Sequence, residues 1–590
     1  MFNNSANFLT LSDYKLLTRG LDVGTILGTP KIIDSVIFNL PPGRKIPPGQ
    51  YFVLAGKIHE DLTDSKRSIY IFADIGNVPN KVRYVPYWTD QLGFIELLSA
   101  RDNETVDFVR FGNETTEPRT ISWRTKVTDV PAFRTISGGA EYRNTVSFDP
   151  LDSYDRSIVR FFGPNGKISE WTHVEFPTPG GPNDVPAGVI DSDGDGIPDS
   201  AKDPNGRFAG LDLYKMGARH GQKDLFIQLD YMRRENNNMP ADVMQPRAAS
   251  LQKVIDAFNP KIHIHFDVGS LFSPSVGEAN FNLAGYSHER DFSECTRIPA
   301  SVTVPNNPSG CRSIYAYASK FVDVRRRPIF RYMLLAYKQP AEPPYYDDKA
   351  TGISEINGNK SVLSLGFENN GISSEPDSKW GGFQGKKNAK TNWQSADIMH
   401  ELGHQLGLLH GGSEGLAYKP NYFSVMNPMY LKSGLPSDPA GSGPTQRYYF
   451  YWNQWMSVPG KPNPGDYGFC QIPEGPCTND FKVDYSNGMG EELDERGLCE
   501  IRNIGRNNVI VTEEARQNRI YCVARNRPDC AAQDQADQRH KKFGDWNLDG
   551  SCTSEKIPMK LIHDDPGHQH NSVLKDYDDW SKLNLSNRNN

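Results

Sequence analysis

The chain has 590 residues, a formal net charge of −7, and 37% hydrophobic against 23% charged side chains, enough for roughly two to four domains with sizeable cores. The negative charge argues against nucleic acid or an anionic membrane as a partner, because those interfaces need clustered positive charge. No window approaches the ~18 consecutive apolar residues of a membrane span, and 42 prolines with 52 glycines point to much loop and β structure.

The N-terminus, M-F-N-N-S-A-N, lacks the basic and apolar regions of a signal peptide, so a trimmed, mature form is expected. From the start to about Asp184 the pattern is one of short β segments: Ser35 to Phe38, Gln50 to Ala55, Ser68 to Ala73, Gly93 to Ser99, Thr105 to Phe111 and Ser157 to Phe162. Turn formers separate them, at Pro47 to Gln50 and Pro179 to Asn183, and no long helical period intervenes. An all-β sandwich over 1–184 is the expectation. Ile46 to Gly56 (I-P-P-G-Q-Y-F-V-L-A-G), Phe94 to Leu98, Asp107 to Gly112 and the closing F-P-T-P-G-G-P-N resemble the lamin-tail domain, an immunoglobulin-like sandwich. That resemblance implies a binding or tethering role, toward a surface or matrix ligand.

Residues 185–222 read as an acidic linker. D-S-D-G-D-G-I-P-D places Asp191, Asp193 and Asp195 at alternate positions of a calcium-type loop, with Gly196 at its sharp turn. Position 12 is Lys202, so Asp199 or Asp203 would have to close a calcium shell; a solvated acidic turn is the competing reading.

Residues 223–437 alternate strands and helices. Lys223 to Tyr231, Lys261 to Val268, Ile329 to Tyr337 and Ser361 to Gly366 read as strands, and Ala248 to Phe258 as an amphipathic helix. His263 and His265 share one strand face and read as packing residues, and Arg325 to Arg327 read as a solvated basic face. A Gly-rich lead then enters A-D-I-M-H-E-L-G-H-Q-L-G-L-L-H-G-G, Ala396 to Gly412. On a helix, His400 and His404 lie one turn apart on the same face and can share a metal. Six more residues of helix would carry His410 roughly 9 Å along the axis. Gly407 permits the helix to end, so that His410 can return to the same metal. Three protein ligands leave one position open, the arrangement of catalytic rather than structural zinc. Glu401, beside the ligands, is placed to act as general base toward water.

The extended H-E-x-x-H-x-x-G-x-x-H spacing, followed by S-V-M within Lys419 to Tyr430, resembles the metzincin zinc metallopeptidases. The resemblance implies zinc held by His400, His404 and His410, Glu401 as general base, and Met426 as an apolar floor beneath the histidines. It also implies a substrate-binding edge strand, matched to Ser361, Val362, Leu363, Ser364, Leu365 and Gly366. Pro428 stands where some members carry a tyrosine that contacts zinc or the transition state; Tyr422 and Tyr430 are its weak substitutes. No cysteine precedes Cys295, so any latency would come from a carboxylate or steric cover rather than a thiol.

Residues 438–590 read as a Cys-rich lobe of the catalytic region. The eight cysteines are Cys295, Cys311, Cys470, Cys477, Cys499, Cys522, Cys530 and Cys552. In a secreted chain they pair, Cys295 with Cys311 as the nearest local choice and the other six in an order the spacing leaves open. A cysteine-zinc cluster is disfavoured, since no C-x-x-C pair exists. Asp545, Asn547 and Asp549 alternate in a second acidic turn with calcium-ligand character, while His563, His568 and His570 read as a hydrated loop. Asp576 to Trp580 (D-Y-D-D-W) resembles the end of bacterial secreted members of the same group. The expectation is thus an all-β immunoglobulin-like sandwich, then an α/β (α+β) metzincin catalytic domain with a disulfide-rich C-terminal lobe. Its function would be that of a secreted zinc endopeptidase with zinc and calcium as ions and proteins or peptides as substrates. A surface-binding, adhesive protein led by the sandwich is the alternative.

Overall fold

A computed structural model describes residues 1–22, 31–56, 62–74, 82–88, 92–120, 129–130, 157–161, 169, 171–272, 281–283, 287–298, 311–340, 351–417, 419, 421–432, 434–435, 470, 474–488, 490, 492–494, 521–523, 542–544 and 573–586. Asp545, Asn547 and Asp549, the histidines at 563, 568 and 570, and Cys499, Cys530 and Cys552 lie outside the described residues.

Along these residues the chain is rich in β-structure with few helices. Its first sheet is built from β1 (Tyr14–Asp22), β2 (Lys31–Asn39), β3 (Ala73–Asp74), β4 (Val82–Pro86), β5 (Leu92–Ser99), β6 (Thr105–Gly112) and β7 (Asp129–Val130), in the order β7-β6-β5-β1-β4-β3 with β2 also on β1. β1 is the interior strand: β2 pairs along one edge, while β5 and then β4 share the other. Successive side chains of a strand point to opposite faces. Leu16 therefore joins Phe38, Ile46, Phe52 and Ile69 on one side, and Leu17 joins Phe94, Leu98 and Phe108 on the other.

The second sheet contains β8 (Asp224–Met232), β9 (His263–Asp267), β10 (Glu289–Arg290), β11 (Phe330–Leu335), β12 (Gly352–Ser354) and β13 (Lys360–Leu363). Its order is β9-β8-β11-β13-β12, with β10 beside the end of β8. All pairs are parallel except β12 with β13. β8 is buried along its whole length because both of its faces are covered, which is how parallel sheets are stabilised. On one face lie α1 (Ala248–Phe258), through Leu251, Val254 and Phe258, and α4 (Phe383–Gln405), through Ala396, Met399 and Leu402. On the other lies α2 (Ile314–Phe321), against Tyr332, Leu334 and Val362.

Two expectations need correction here. Ser361 to Gly366 is not an edge strand: Ser361, Val362 and Leu363 are buried in β13 between β11 and β12, Ser364 follows the strand, and Leu365 and Gly366 begin helix α3 (Leu365–Ser374). The edge is β12. Arg325 to Arg327 is not a solvated face either. Arg326 is buried against Asp267 at 2.6 Å, and Arg327 donates to the Tyr70 hydroxyl at 2.9 Å. Two guanidinium groups can enter a core only because each finds fixed acceptors there.

That second contact joins the N-terminal residues to the second sheet. Ala55, Leu62 and Tyr70 pack in the same core as α2, and Thr63 donates its amide to Ser319 Oγ at 2.8 Å. Cys295 and Cys311 face each other on the parallel pair Cys295–Arg297 and Cys311–Ser313 and form a disulfide. A second disulfide, Cys470 to Cys477, lies beside α4, where Asn388 donates to the Cys477 carbonyl at 3.0 Å. Among the described residues, no helix is long and apolar enough to cross a membrane.

Candidate metal and catalytic site

Helix α4 carries His400, Glu401 and His404 in its last two turns, then stops by a defined motif. Gly407 takes φ +97°, a conformation that strongly favours glycine. Its amide donates to the His404 carbonyl, and that of Leu408 donates to the Gly403 carbonyl at 2.8 Å, the double closure of a helix C-terminus. A tight turn pairing Leu409 with Gly412 then returns His410 to the helix. The three imidazoles stand with ring centroids 4.8, 4.9 and 5.2 Å apart, and their metal-binding atoms lie within 4.8 Å of one another.

Hydrogen bonds settle which nitrogens are available. His400 Nδ1 lies 2.8 Å from the Val425 carbonyl and His404 Nδ1 lies 2.8 Å from the Leu408 carbonyl. A carbonyl only accepts, so both Nδ1 atoms carry protons and both Nε2 atoms present lone pairs. His400 Nε2 and His410 Nε2 approach to 3.3 Å. Burial also keeps the rings neutral: it pulls His404 down to about 3, and His400 and His410 below the usual imidazole value. Neutral imidazoles with converging lone pairs, oriented from behind by backbone carbonyls, fit a divalent metal of the zinc type.

Glu401 is buried beside this cluster, and burial lifts its carboxyl to about 8, against the pull of the Ser354 hydroxyl. Its carboxylate lies so close to β12 that a Cβ on Gly352 would fall 2.2 Å from Glu401 Oε1. Behind it runs a chain of donors, Gln405 and Ser361 buried and Ser354 half-buried. Gln405 Nε2 donates to Ser361 Oγ at 2.5 Å, Ser361 and Ser354 share a bond of 2.6 Å, and Ser354 Oγ donates to Glu401 Oε2 at 2.5 Å. Ser354, Ser361 and Gln405 were not readable as a unit, because they come from two strands and a helix.

Met426 is buried beneath α4, where a Cβ on Gly403 would fall 2.2 Å from its sulfur. Glycine between the two helical histidines thus makes room for the methionine. The loop that carries Met426 is held by Asp579, which accepts from Tyr422 at 2.8 Å, from Ser424 at 2.6 Å and from the Ser486 amide at 3.0 Å. Asp576 to Trp580 thereby pins the turn. Tyr422 is committed to Asp579 and fully buried, and Tyr430 is buried with its ring 5.5 Å from that of Phe423. Pro428 opens the short helix Pro428–Leu431, a position where its missing N–H costs nothing.

The acidic loop differs from expectation. Asp191, Asp193 and Asp195 do come within 4.8 Å of one another. Asp199, however, accepts from Ser192 at 3.1 Å and pairs with His220 at 3.2 Å, and Asp203 is exposed. The group that joins two of the three carboxylates is Lys202, whose Nζ lies 2.8 Å from Asp193 and 2.6 Å from Asp195. Of the two strand histidines, His265 pairs with Asp224 at 2.7 Å and stacks on Phe226, while His263 is half-buried.

No protein-family model, no curated protein and no solved structure matches the chain.

Proposed function

We propose that the chain is a secreted zinc-dependent endopeptidase of the metzincin type, with His400, His404 and His410 as ligands and Glu401 as general base. The observation that carries this reading is the convergence of three neutral imidazoles on one point beside a buried carboxylate. Zinc bound there would polarise a peptide carbonyl and acidify water. Glu401 takes the proton of the attacking water and delivers it to the amide nitrogen as the C–N bond breaks. Met426 supports the helix that presents the ligands. An extended substrate adds to β12, the edge strand nearest Glu401 among the described residues, through backbone hydrogen bonds. Residues 1–184 form an immunoglobulin-like sandwich of the lamin-tail kind that tethers the enzyme to a surface or matrix ligand, and 223–437 form the catalytic core. The cysteine pairs Cys295–Cys311 and Cys470–Cys477 suit an oxidising exterior.

The deciding experiment is hydrolysis of a denatured protein by the purified chain with its metal content measured. Activity stops with 1,10-phenanthroline and returns with zinc. Glu401→Gln retains the metal and loses about 10²–10⁴-fold in rate, the usual contribution of a positioned base. Undiminished hydrolysis by that variant would sink the mechanism, and activity in metal-free protein would sink the zinc.

A further inference from the structure

We propose that the acidic loop around Asp191, Asp193 and Asp195 is a cation site whose resident cation is the ammonium group of Lys202, and that calcium is thereby kept out of it. Lys202 Nζ is fully buried. It lies 3.0 and 2.8 Å from the two oxygens of Asp193, 2.6 Å from Asp195 Oδ2 and 2.8 Å from the Gln222 carbonyl. Asp224 Oδ2 is a further acceptor at 3.6 Å. An ammonium has three N–H donors, and this shell uses all of them. Burial alone would pull Lys202 down, but Asp195 and Asp193 more than offset it and hold its pKa above the ordinary lysine value. The surrounding acceptors therefore favour the charged ammonium.

The remaining carboxylate serves the loop itself. Asp191 accepts the amides of Gly194 at 2.8 Å and Gly196 at 2.8 Å, which shapes the turn. Calcium takes 6–8 oxygen ligands, and in this loop it would have to take the Asp193 and Asp195 oxygens that Lys202 holds. It would also stand beside a buried ammonium, where like charges repel with little screening. In a calcium loop the twelfth position closes the shell with a carboxylate; here the same position supplies the cation. The ammonium also ties the linker to the second sheet. Asp195 Oδ2 accepts the amide of Asp224, the first residue of β8, at 2.6 Å.

Calcium counting by equilibrium dialysis on the full chain tests this, alongside thermal unfolding in EGTA and in calcium. Wild type and Asp193→Asn are expected to bind the same number of calcium ions. Lys202→Glu, which puts a carboxylate at the twelfth position, is expected to bind one more, with a melting temperature about 5 °C lower in EGTA that calcium restores. A calcium ion bound by wild type and lost in Asp193→Asn overturns the proposal. So does a Lys202→Glu chain that binds no additional calcium, or that calcium fails to stabilise. Should Asp193→Asn not fold, the count for wild type against Lys202→Glu decides alone, and equal counts refute.

Discussion

At the scale of residues, Glu401 is held rather than merely present. Its Oε2 closes a line of donors that begins at the Gln405 amide and passes through Ser361 and Ser354. Each hydroxyl in that line has one proton to give, so when Glu401 is ionised the chain runs from the amide toward the carboxylate. Ser354→Ala removes the last donor. It is expected to lower kcat about tenfold, the equivalent of one hydrogen bond of roughly 1.4 kcal/mol, with KM and metal content unchanged. An equal loss of bound metal would instead show that Ser354 serves the fold of the ligand cluster. The grouping of His400, Glu401, His404 and His410 was legible in the sequence because eleven consecutive residues contain them. Ser354 was not, since it lies 47 residues before Glu401 and no spacing rule links them. Lys202 was visible as a departure at position 12 of its loop, yet its role came from burial, which composition does not reveal.

At the scale of elements, the end of α4 depends on Arg331. This fully buried side chain on β11 donates to the Gln405 carbonyl at 2.8 Å, to Gly358 at 2.5 Å, and to Asn584 and Leu585 at 2.9 and 3.1 Å. One guanidinium therefore caps the helix, fastens the β12–β13 turn and anchors the C-terminal residues. The positive charge also suits the negative end of the helix. Arg331→Met keeps the bulk and leaves four carbonyls without their donor. A stability loss of roughly 3 kcal/mol is expected in urea unfolding, with earlier proteolysis of the C-terminal tail. A loss under about 0.5 kcal/mol would show that water replaces the donor at no cost. Helix α1 was readable from its apolar period, because its partners at i, i+3 and i+7 lie within one segment. The edge strand was not. Gly352–Ser354 has three residues and no alternation to detect, while Ser361 to Leu363 reads as a strand because its side chains are buried on both faces of the sheet.

At the scale of the whole molecule, N-terminal and C-terminal segments both enter the cores that cover the second sheet, one on each face. Leu585 and Trp580 belong to the core that also holds Met399 and Met426. Ala55, Leu62 and Tyr70 belong to the core beneath α2. A chain beginning at residue 185 is therefore expected to expose apolar surface around Tyr317 and Val322, to bind a hydrophobic dye and to melt at lower temperature than the full chain. Equal melting temperatures without dye binding would mean that the contact contributes nothing. The sequence by itself indicated the cluster of His400, His404 and His410 with Glu401 beside it, because that spacing and the turn that returns His410 are local patterns of side chain and backbone preference. It also indicated a β-rich chain and the Cys295–Cys311 pair. Only the tertiary structure decided that β12 is the edge strand among the described residues, that Arg326, Arg327 and Arg331 lie inside, and that Lys202 fills the acidic loop. These outcomes depend on which distant segments exclude water from one another, and burial of a charge is stable only where those segments bring its partners.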